Sequence, residues 1–403
     1  VKLLFDASTL GTAHARPLQG RTGVFRASEQ ILRALSSQAG VSLSLCARAR
    51  TPDTIAWRDQ DTLARNIPFQ STWLQRMASR HGSFRWAAAI ERAARPSALG
   101  GEAEAILVPH FHHLPSASHR FASRVLLLHD VLPLTHPQWF AGDEPRILAT
   151  AAKRIEDEGW TLVFDTVEAM RQAQGVIRFS SEQAHVVPLG VDHGLFHPPM
   201  ESASRSDFRA RLGLTGPWFC TLGTLEPRKN LTVVIRAFRK FLEATESRDT
   251  KLVLAGTRGW KTEALEAALA EAGDSRSNIV LPGFLSDQDL PLLYHGASAF
   301  LFPSLAEGFG LPPLEAMACG APVISSNASC MPEVLGDSAF WVAPDDVGGW
   351  TDALALFSRS EETRQRHRQL GLDRAAGYTW HRTAEVLVSV IERDLDRRIR
   401  TRG

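Results

Sequence analysis

Two loops in the second half of the chain bring together the residue types that hold a phosphate beside hydroxyl groups. The first is Leu305-Ala-Glu-Gly-Phe-Gly-Leu-Pro-Pro-Leu-Glu-Ala-Met-Ala-Cys-Gly320. Gly308 and Gly310 let the backbone come close to a ligand. Pro312 and Pro313 suit the first turn of a helix, where a missing N–H costs nothing. The amides of Phe309, Gly310 and Leu311 then sit at the positive end of that helix, a ready site for an anion. Glu307 and Glu315 stand eight residues apart around this turn, and a carboxylate accepts two hydrogen bonds from vicinal hydroxyls. Taken singly, Glu315 would complement the helix dipole and Glu307 would be solvated. As a pair around a Gly-rich loop they read as contacts to a sugar or ribose diol.

The second loop is Thr221-Leu-Gly-Thr-Leu-Glu-Pro-Arg-Lys-Asn230. Arg228 and Lys229 are adjacent cations just before a helix expected to begin near Leu231, where the helix dipole disfavours them. An anion between them and the helix resolves that conflict: Arg clasps phosphate oxygens with two parallel bonds, and Lys adds a point charge. A solvated charge pair is the competing reading, and Gly223 and Thr224 just upstream weigh against it.

Short apolar runs alternate with helical patterns along the whole chain, the signature of βαβ units around parallel sheets. The strands expected in the first half are Lys2–Asp6, Val41–Ala47, Ala105–Pro109, Val125–His129, Thr161–Asp165 and His185–Pro188. Those in the second half are Trp218–Gly223, Lys251–Ala255, Asn278–Leu281, Ala299–Phe302, Pro322–Ser325 and Phe340–Val342. Two sets of six imply an α/β protein of two doubly wound domains, with a Pro- and Ser-rich linker at Phe196–Asp207. Trp380–Ile399 reads as one amphipathic helix with a basic end that suits a helix C-terminus. Doubly wound sheets bind ligands at strand C-termini and helix N-termini, which is where both loops lie.

The 403 residues carry 45 Lys+Arg against 44 Asp+Glu, with 44% hydrophobic and 22% charged residues. A disordered chain, a collagen and a disulfide-stapled mini-protein are excluded. The balance also argues against a general nucleic-acid binder. Residues 1–100, however, hold 14 basic and 6 acidic side chains, a net +8 against −7 in the rest. That leaves room for an anionic surface partner of the first domain. Cys46, Cys220, Cys319 and Cys330 form no CxxC pair and read as reduced core thiols. The opening Leu3–Phe5 run lacks the marks of a signal peptide, and the longest apolar runs fall short of the roughly 20 residues that span a bilayer. The expected location is the cytoplasm, with possible contact to the inner face of the membrane.

On these residues the chain resembles the GT-B-fold glycosyltransferases of the family-4, retaining, group 1 type. The similarity runs from Asp6-Ala-Ser-Thr-Leu-Gly11 and Thr22-Gly-Val-Phe-Arg26, through His129-Asp-Val-Leu-Pro-Leu134 and Val186-Val-Pro-Leu-Gly-Val-Asp192, to Tyr378-Thr-Trp380. Its most specific marks are the Glu-x7-Glu pattern at Glu307 and Glu315 and the Glu-Pro-Arg-Lys-Asn run ending at Asn230. The resemblance implies two facing Rossmann-like domains with a deep cleft. Residues 1–197, completed by a helix at 380–403, would take the acceptor, and residues 198–379 the nucleotide-sugar donor. It further implies that Arg228 and Lys229 neutralise the diphosphate leaving group, Glu307 contacts the donor sugar and Glu315 clamps the ribose. Gly223 with Thr224, Gly256 and Gly23 match positions close to the diphosphate and transferred sugar. Gly283, Phe284 and Leu285 match the loop beside the base, and His129 with Asp130 the first-domain pair facing the reacting centre. At Thr22 this chain departs from the family, which usually has a second Gly there. The implied reaction needs no metal or other cofactor.

Other motifs carry less. Asp287-Gln-Asp289 is formally a DxD metal motif, but Ser286 and Asp289 read as helix capping. His110, His112 and His113 lack a suitably spaced further ligand for a metal and read as acceptor contacts or loop polarity. Gly256-Thr-Arg-Gly259 lacks the spacing of a dinucleotide fingerprint, and Ala7-Ser-Thr-Leu-Gly11 follows the first strand in place of GxGxxG, which argues against a nicotinamide dehydrogenase. Trp260 after Gly259 is similar to bacterial mannosyltransferases of the family and points to GDP-mannose. Ala64–Arg95 carries six Arg with interleaved aromatics, suited either to a membrane interface and an anionic lipid-linked acceptor or to a surface hairpin packed on the sheet. The functional expectation is hexosyl transfer, with mannose as the sugar, to a glycan or polyprenyl-diphosphate-linked acceptor in cell-surface polysaccharide synthesis. A GT-B-fold nucleotide-sugar epimerase, a sugar phosphorylase and a non-catalytic nucleotide-sugar binding protein are the alternatives. The full Arg-Lys and Glu-Glu set speaks against the last, and no Lys context suggests a phosphorylase cofactor.

Overall fold

Most strands are short runs rich in apolar residues, closed by a Gly, Pro or polar residue. The structure, a computed structural model, describes residues 1–15, 23–47, 51–70, 103–115, 121–198, 204–245 and 247–400. Among these are twelve strands: β1 (Lys2–Asp6), β2 (Ser42–Cys46), β3 (Ala105–Val108), β4 (Ser123–Leu127), β5 (Thr161–Phe164), β6 (Ala184–Val186), β7 (Trp218–Leu222), β8 (Lys251–Ala255), β9 (Ile279–Gly283), β10 (Ala299–Phe302), β11 (Val323–Ser326) and β12 (Ala339–Val342). Every expected strand is present, shifted by at most a few residues. β4 moves most, because polar Ser123 and Arg124 pair with Ala105 and Ile106 at its start. At its far end Leu128 N still donates to Val163 O at 2.8 Å, so His129 lies just beyond the ladder.

The strands form two parallel six-stranded sheets. The first runs β2-β1-β3-β4-β5-β6 and reverses direction between β1 and β3. The second runs β12-β11-β10-β7-β8-β9, the doubly wound dinucleotide-fold order, and reverses between β7 and β10. Strands buried on both faces read as continuous apolar runs, which is why β3, β5 and β10 carry no polar alternation. Their side chains are fully buried.

Two compact units result, Val1–Thr135 with Asp143–Leu189 and Trp380–Gly403, and His136–Gly142 with Gly190–Thr379. The division differs from the expected one in two places. The chain changes unit at Gly190, ahead of the Pro/Ser-rich stretch, and the short segment His136–Gly142 belongs with the second unit. Trp260 Nε1 donates to Trp139 O at 2.6 Å and Lys261 Nζ to Gln138 O, while the His136 ring stacks on Trp139 at 4.2 Å. Local composition carries no sign of this insertion, because its partners lie more than a hundred residues on.

The last helix, Trp380–Arg400, packs on the first unit through Leu387, Val390 and Ile391, the i, i+3, i+4 spacing of an apolar helix face. Its basic end does more than match the dipole. Arg397 and Arg398 grip Asp394 at 2.5 and 2.9 Å, and Asp394, 3% exposed, accepts from Ser123 Oγ at 2.8 Å. The buried carboxylate thus ties the helix to the start of β4. All four cysteines are buried thiols. No described helix is long and apolar enough to cross a membrane. Of the Arg-rich Ala64–Arg95 stretch, Ala64–Asn66 forms one 3-10 turn; Arg76, Arg80, Arg85, Arg92 and Arg95 lie outside the described residues.

Candidate active site

The reversal between β7 and β10 places the loops that follow them side by side, and these are the two loops singled out by their charges. They are stitched together by Leu305 N donating to Arg228 O at 2.9 Å. Across this seam Lys229 Nζ donates to Glu307 Oε1 at 2.6 Å and the Arg228 guanidinium meets Glu307 Oε2 at 2.5 Å. Arg228 also donates to Glu226 Oε1 at 2.6 Å and to Ala306 O at 2.9 Å. The Lys229 ammonium lies 5.2 Å from the Phe302 ring centre, a cation–π distance. Two cations and two carboxylates, each side chain 16% exposed or less, thus sit at the switch point where such sheets bind ligands.

Burial alone would raise the Glu307 carboxyl, but Arg228 and Lys229 outweigh it and hold the group at about 2. Burial pulls the Lys229 ammonium down, opposed by Glu307. With the carboxylate ionised far below neutrality and 2.6 Å away, geometry favours the charged ammonium. The trio is therefore ionised at neutral pH. It can exchange one carboxylate partner for the oxygens of an incoming anion without neutralising a side chain.

Asn230 holds the seam. It adopts left-handed backbone angles, φ 52°, at the start of the helix Leu231–Ala244, a conformation that Asn tolerates better than most residues. Its Nδ2 donates to Pro303 O at 3.2 Å and Pro344 O at 2.7 Å, joining the ends of β7, β10 and β12. Asn230→Ala should cost roughly 2–3 kcal/mol, from the left-handed backbone and two lost hydrogen bonds. An unchanged urea midpoint would refute that role. Ser329 secures the other side, donating to Glu307 O at 3.0 Å and accepting from Glu307 N at 3.3 Å. Glu226, Asn230 and Ser329 were not among the expected site residues. A left-handed Asn after Arg-Lys is the signal that could have found one of them.

Gly310 caps the helix Leu311–Ala318 at φ 96°, and a side chain there would meet Met331 Cε at 2.7 Å. Gly308, Phe309 and Leu311 are buried around it, with the Phe309 ring 5.8 Å from Tyr378. Glu315 is buried inside the helix and accepts from the Tyr294 hydroxyl at 3.3 Å. At the ends of β7, β8 and β9 stand Gly223, Gly256 and Gly283, with Gly223 N donating to Ala255 O and Gly256 N to Gly283 O. Thr224 is half-buried beside them, Phe284 is 37% exposed and Leu285 turns inward. Ser286 Oγ accepts from Asp289 N at 3.3 Å and donates to Asp289 Oδ2 at 2.9 Å in the turn before the helix Leu290–Tyr294. The N-cap of that helix, Asp289, makes no side-chain cap bond, so the reciprocal capping box is incomplete. Asp289 also pairs with Arg211.

The model for "Glycosyl transferases group 1" matches residues 204–372. The chain is 30% identical over 263 residues to O-antigen chain mannosyltransferase B of Escherichia coli, covering 65% of this chain and 68% of that protein. It belongs to the group 1 glycosyltransferases. Against the serotype-specific mannosyltransferase WbdA of Escherichia coli it is 28% identical over 270 residues, 66% of this chain but 32% of that one. Among solved structures, Anabaena HepE in complex with UDP and glucose aligns over 97% of this chain and 99% of its own, with TM-score 0.72 and 17% identity. Sucrose-phosphate synthase from Thermosynechococcus elongatus aligns over 97% and 98%, with TM-score 0.67 and 16% identity. Two parallel six-stranded sheets flanked by helices are the fold of these GT-B glycosyltransferases.

In the first unit of this glycosyltransferase, the other expected residues follow strand ends. Gly23 opens the helix Gly23–Ser36, and no atom of the described residues lies within 4 Å of where its Cβ would be. Protein packing therefore does not require glycine there. Asp130 Oδ1 accepts from Leu132 N at 3.0 Å, the start of a short helix. His129, after β4, pairs with Asp165, after β5, a partner that was not anticipated. His112 Nε2 pairs with Glu144 Oε2 at 2.8 Å. Thr22 lies outside the described residues.

Proposed function

We propose that this glycosyltransferase transfers a mannosyl residue from GDP-mannose to a glycan or polyprenyl-diphosphate-linked acceptor, with retention at the anomeric carbon and without a metal ion. The observation that carries the reading is the Arg228–Lys229–Glu307 trio at the sheet reversal. Similarity to O-antigen chain mannosyltransferase B and to WbdA, and Trp260 after Gly259, support mannose. In this reading the donor diphosphate takes up hydrogen bonds from Arg228 and Lys229, the amides before Leu311 add the positive helix end, and Glu307 turns to the sugar hydroxyls. Phe284 and Gly283 flank the base, and Glu315 serves the ribose.

As the bond between the anomeric carbon and the phosphate oxygen breaks, charge grows on the diphosphate and the two cations stabilise it. The acceptor hydroxyl oxygen bonds to the anomeric carbon on the same face, and its proton passes to the departing phosphate. Atoms and charge balance without a side-chain nucleophile. The first unit, with its closing helix from Trp380, takes the acceptor, and the enzyme works at the inner face of the cytoplasmic membrane.

Thermal shift against GDP, UDP, ADP and dTDP sugars tests the donor. A ligand at 100 times its dissociation constant adds about 2.7 kcal/mol to stability, and GDP-mannose is expected to give the largest rise. A larger rise with a UDP-sugar would overturn the mannose reading. No rise with any nucleotide would overturn the donor site.

A further inference from the structure

We propose that Asp165 is a positioning residue that fixes the His129 ring so that its Nε2 is presented to a hydroxyl of bound sugar. This rests on the transferase reading above and adds to it a residue from the neighbouring strand.

The placement follows from the sheet. β4 and β5 are adjacent and parallel, with Leu126 opposite Leu162 and Leu127 opposite Val163, so both strands end at one height and deliver His129 and Asp165 to the same edge. His129 Nδ1 and Asp165 Oδ2 are 2.7 Å apart, with the side chains 11% and 3% exposed. A carboxylate can only accept there, so the proton of this hydrogen bond sits on Nδ1 and the remaining ring nitrogen is Nε2. Nε2 is buried and makes no hydrogen bond among the described residues.

A pair serving the fold alone would be expected to have its buried polar atoms satisfied. Asp165 has no other local task of the usual kind. The helix Val167–Gln174 that follows is capped by Thr166, whose side chain accepts from Ala169 N, so the carboxylate before it is not the cap. The surrounding charges agree. Burial lowers the His129 ring pKa, but Asp165 first, then Asp130 and the Pro109 carbonyl, outweigh it and raise the value. The neighbouring His110 is pushed well down by burial and by the rings of His112, His113 and His129. Of His129 and His110, His129 is the one that carries a proton more readily, as a donor to a sugar hydroxyl. Two groups driven apart in this way mark divided roles in a site.

The test is Asp165→Asn, which keeps shape and removes charge, with Asp165→Glu as the charge-retaining control. Ring NMR of His129 across pH reads the pair without any substrate. Losing an opposite charge at this distance should lower the His129 pKa by about one unit or more, and Asp165→Glu should restore part of the difference. In transfer assays Asp165→Asn should lower kcat at least about tenfold with little change in donor KM. The alkaline fall in its pH profile should also begin at lower pH, because the imidazolium is lost earlier. An unmoved His129 titration in Asp165→Asn, or an unchanged kcat and pH profile in a wild-type enzyme that does transfer sugar, overturns the proposal. If the wild type transfers no sugar, the transferase reading fails and the NMR titration still decides the pair. If Asp165→Asn does not fold, titration and kcat of Asp165→Glu against wild type decide it: a His129 that titrates without response to the lengthened partner overturns the role.

Discussion

Lys229→Ala is expected to lower glycosyl transfer at least about a hundredfold, the scale of losing one contact to a developing transition-state charge. The ammonium is held between Glu307 at 2.6 Å and the Phe302 ring at 5.2 Å. Glu307→Ala should lose activity on the same scale. A variant within tenfold of wild type at either position would sink the donor-phosphate assignment. The same substitution has a signature in stability. Glu307 is held at about 2 from an ordinary 4.5, and a depressed carboxyl stabilises the fold above its unfolded value. That contribution is lost as pH falls from about 4.5 toward 2. A difference of about 2.5 units corresponds to roughly 3 kcal/mol. Lys229→Ala removes one of the two cations responsible, so the acid unfolding midpoint should move to higher pH. An acid midpoint identical to wild type would show that the ion trio does not stabilise the fold.

Gly256→Ala should be among the most damaging small substitutions in the second unit. Gly256 has φ 133°, and a Cβ there would lie 1.9 Å from the Gly223 carbonyl oxygen. The end of β8 or of β7 must move, adding backbone strain to a steric clash, for a combined cost of about 3–5 kcal/mol. The displaced residue is the one against which Lys229 rests: a Cβ on Gly223 would be 3.1 Å from Lys229 Cε. Activity should therefore fall together with stability. Gly23→Ala is the contrast, since no atom of the described residues lies within 4 Å of its would-be Cβ. It should unfold in urea as wild type does, so any lost transfer there would report on a ligand. A Gly256→Ala midpoint equal to wild type would contradict the packing seen between the two strand ends.

Much of this was legible before any coordinates. A strand buried on both faces must be apolar throughout, so β3, β5 and β10 announced themselves. A loop that brings backbone close to an anion needs Gly, and the helix behind it tolerates Pro in its first turn, so Leu305–Gly320 was readable as a unit. The adjacent cations Arg228 and Lys229 stood out because a helix start disfavours them unless something negative is present. Less visible were the residues whose partners are distant in the chain. Asp165 reads as the last residue of a strand until β4 delivers His129 beside it. Glu226 reads as one more charge in a polar loop until it is seen on Arg228. The basic end of the last helix reads as a dipole match, whereas its arginines hold Asp394.

The amino-acid sequence by itself determined the twelve strands, the two-part α/β plan and the two charged loops, because apolar run length, Gly and Pro placement and charge adjacency act within a few residues. The tertiary structure alone decided which strands are neighbours, that the sheet reverses between β7 and β10, and that Glu307 closes on Lys229 from 78 residues away and on Arg228 beside it. It also decided that His136–Gly142 joins the second unit. Those outcomes depend on packing whole sheets and helices against one another, and no local window of sequence contains both partners of such a contact.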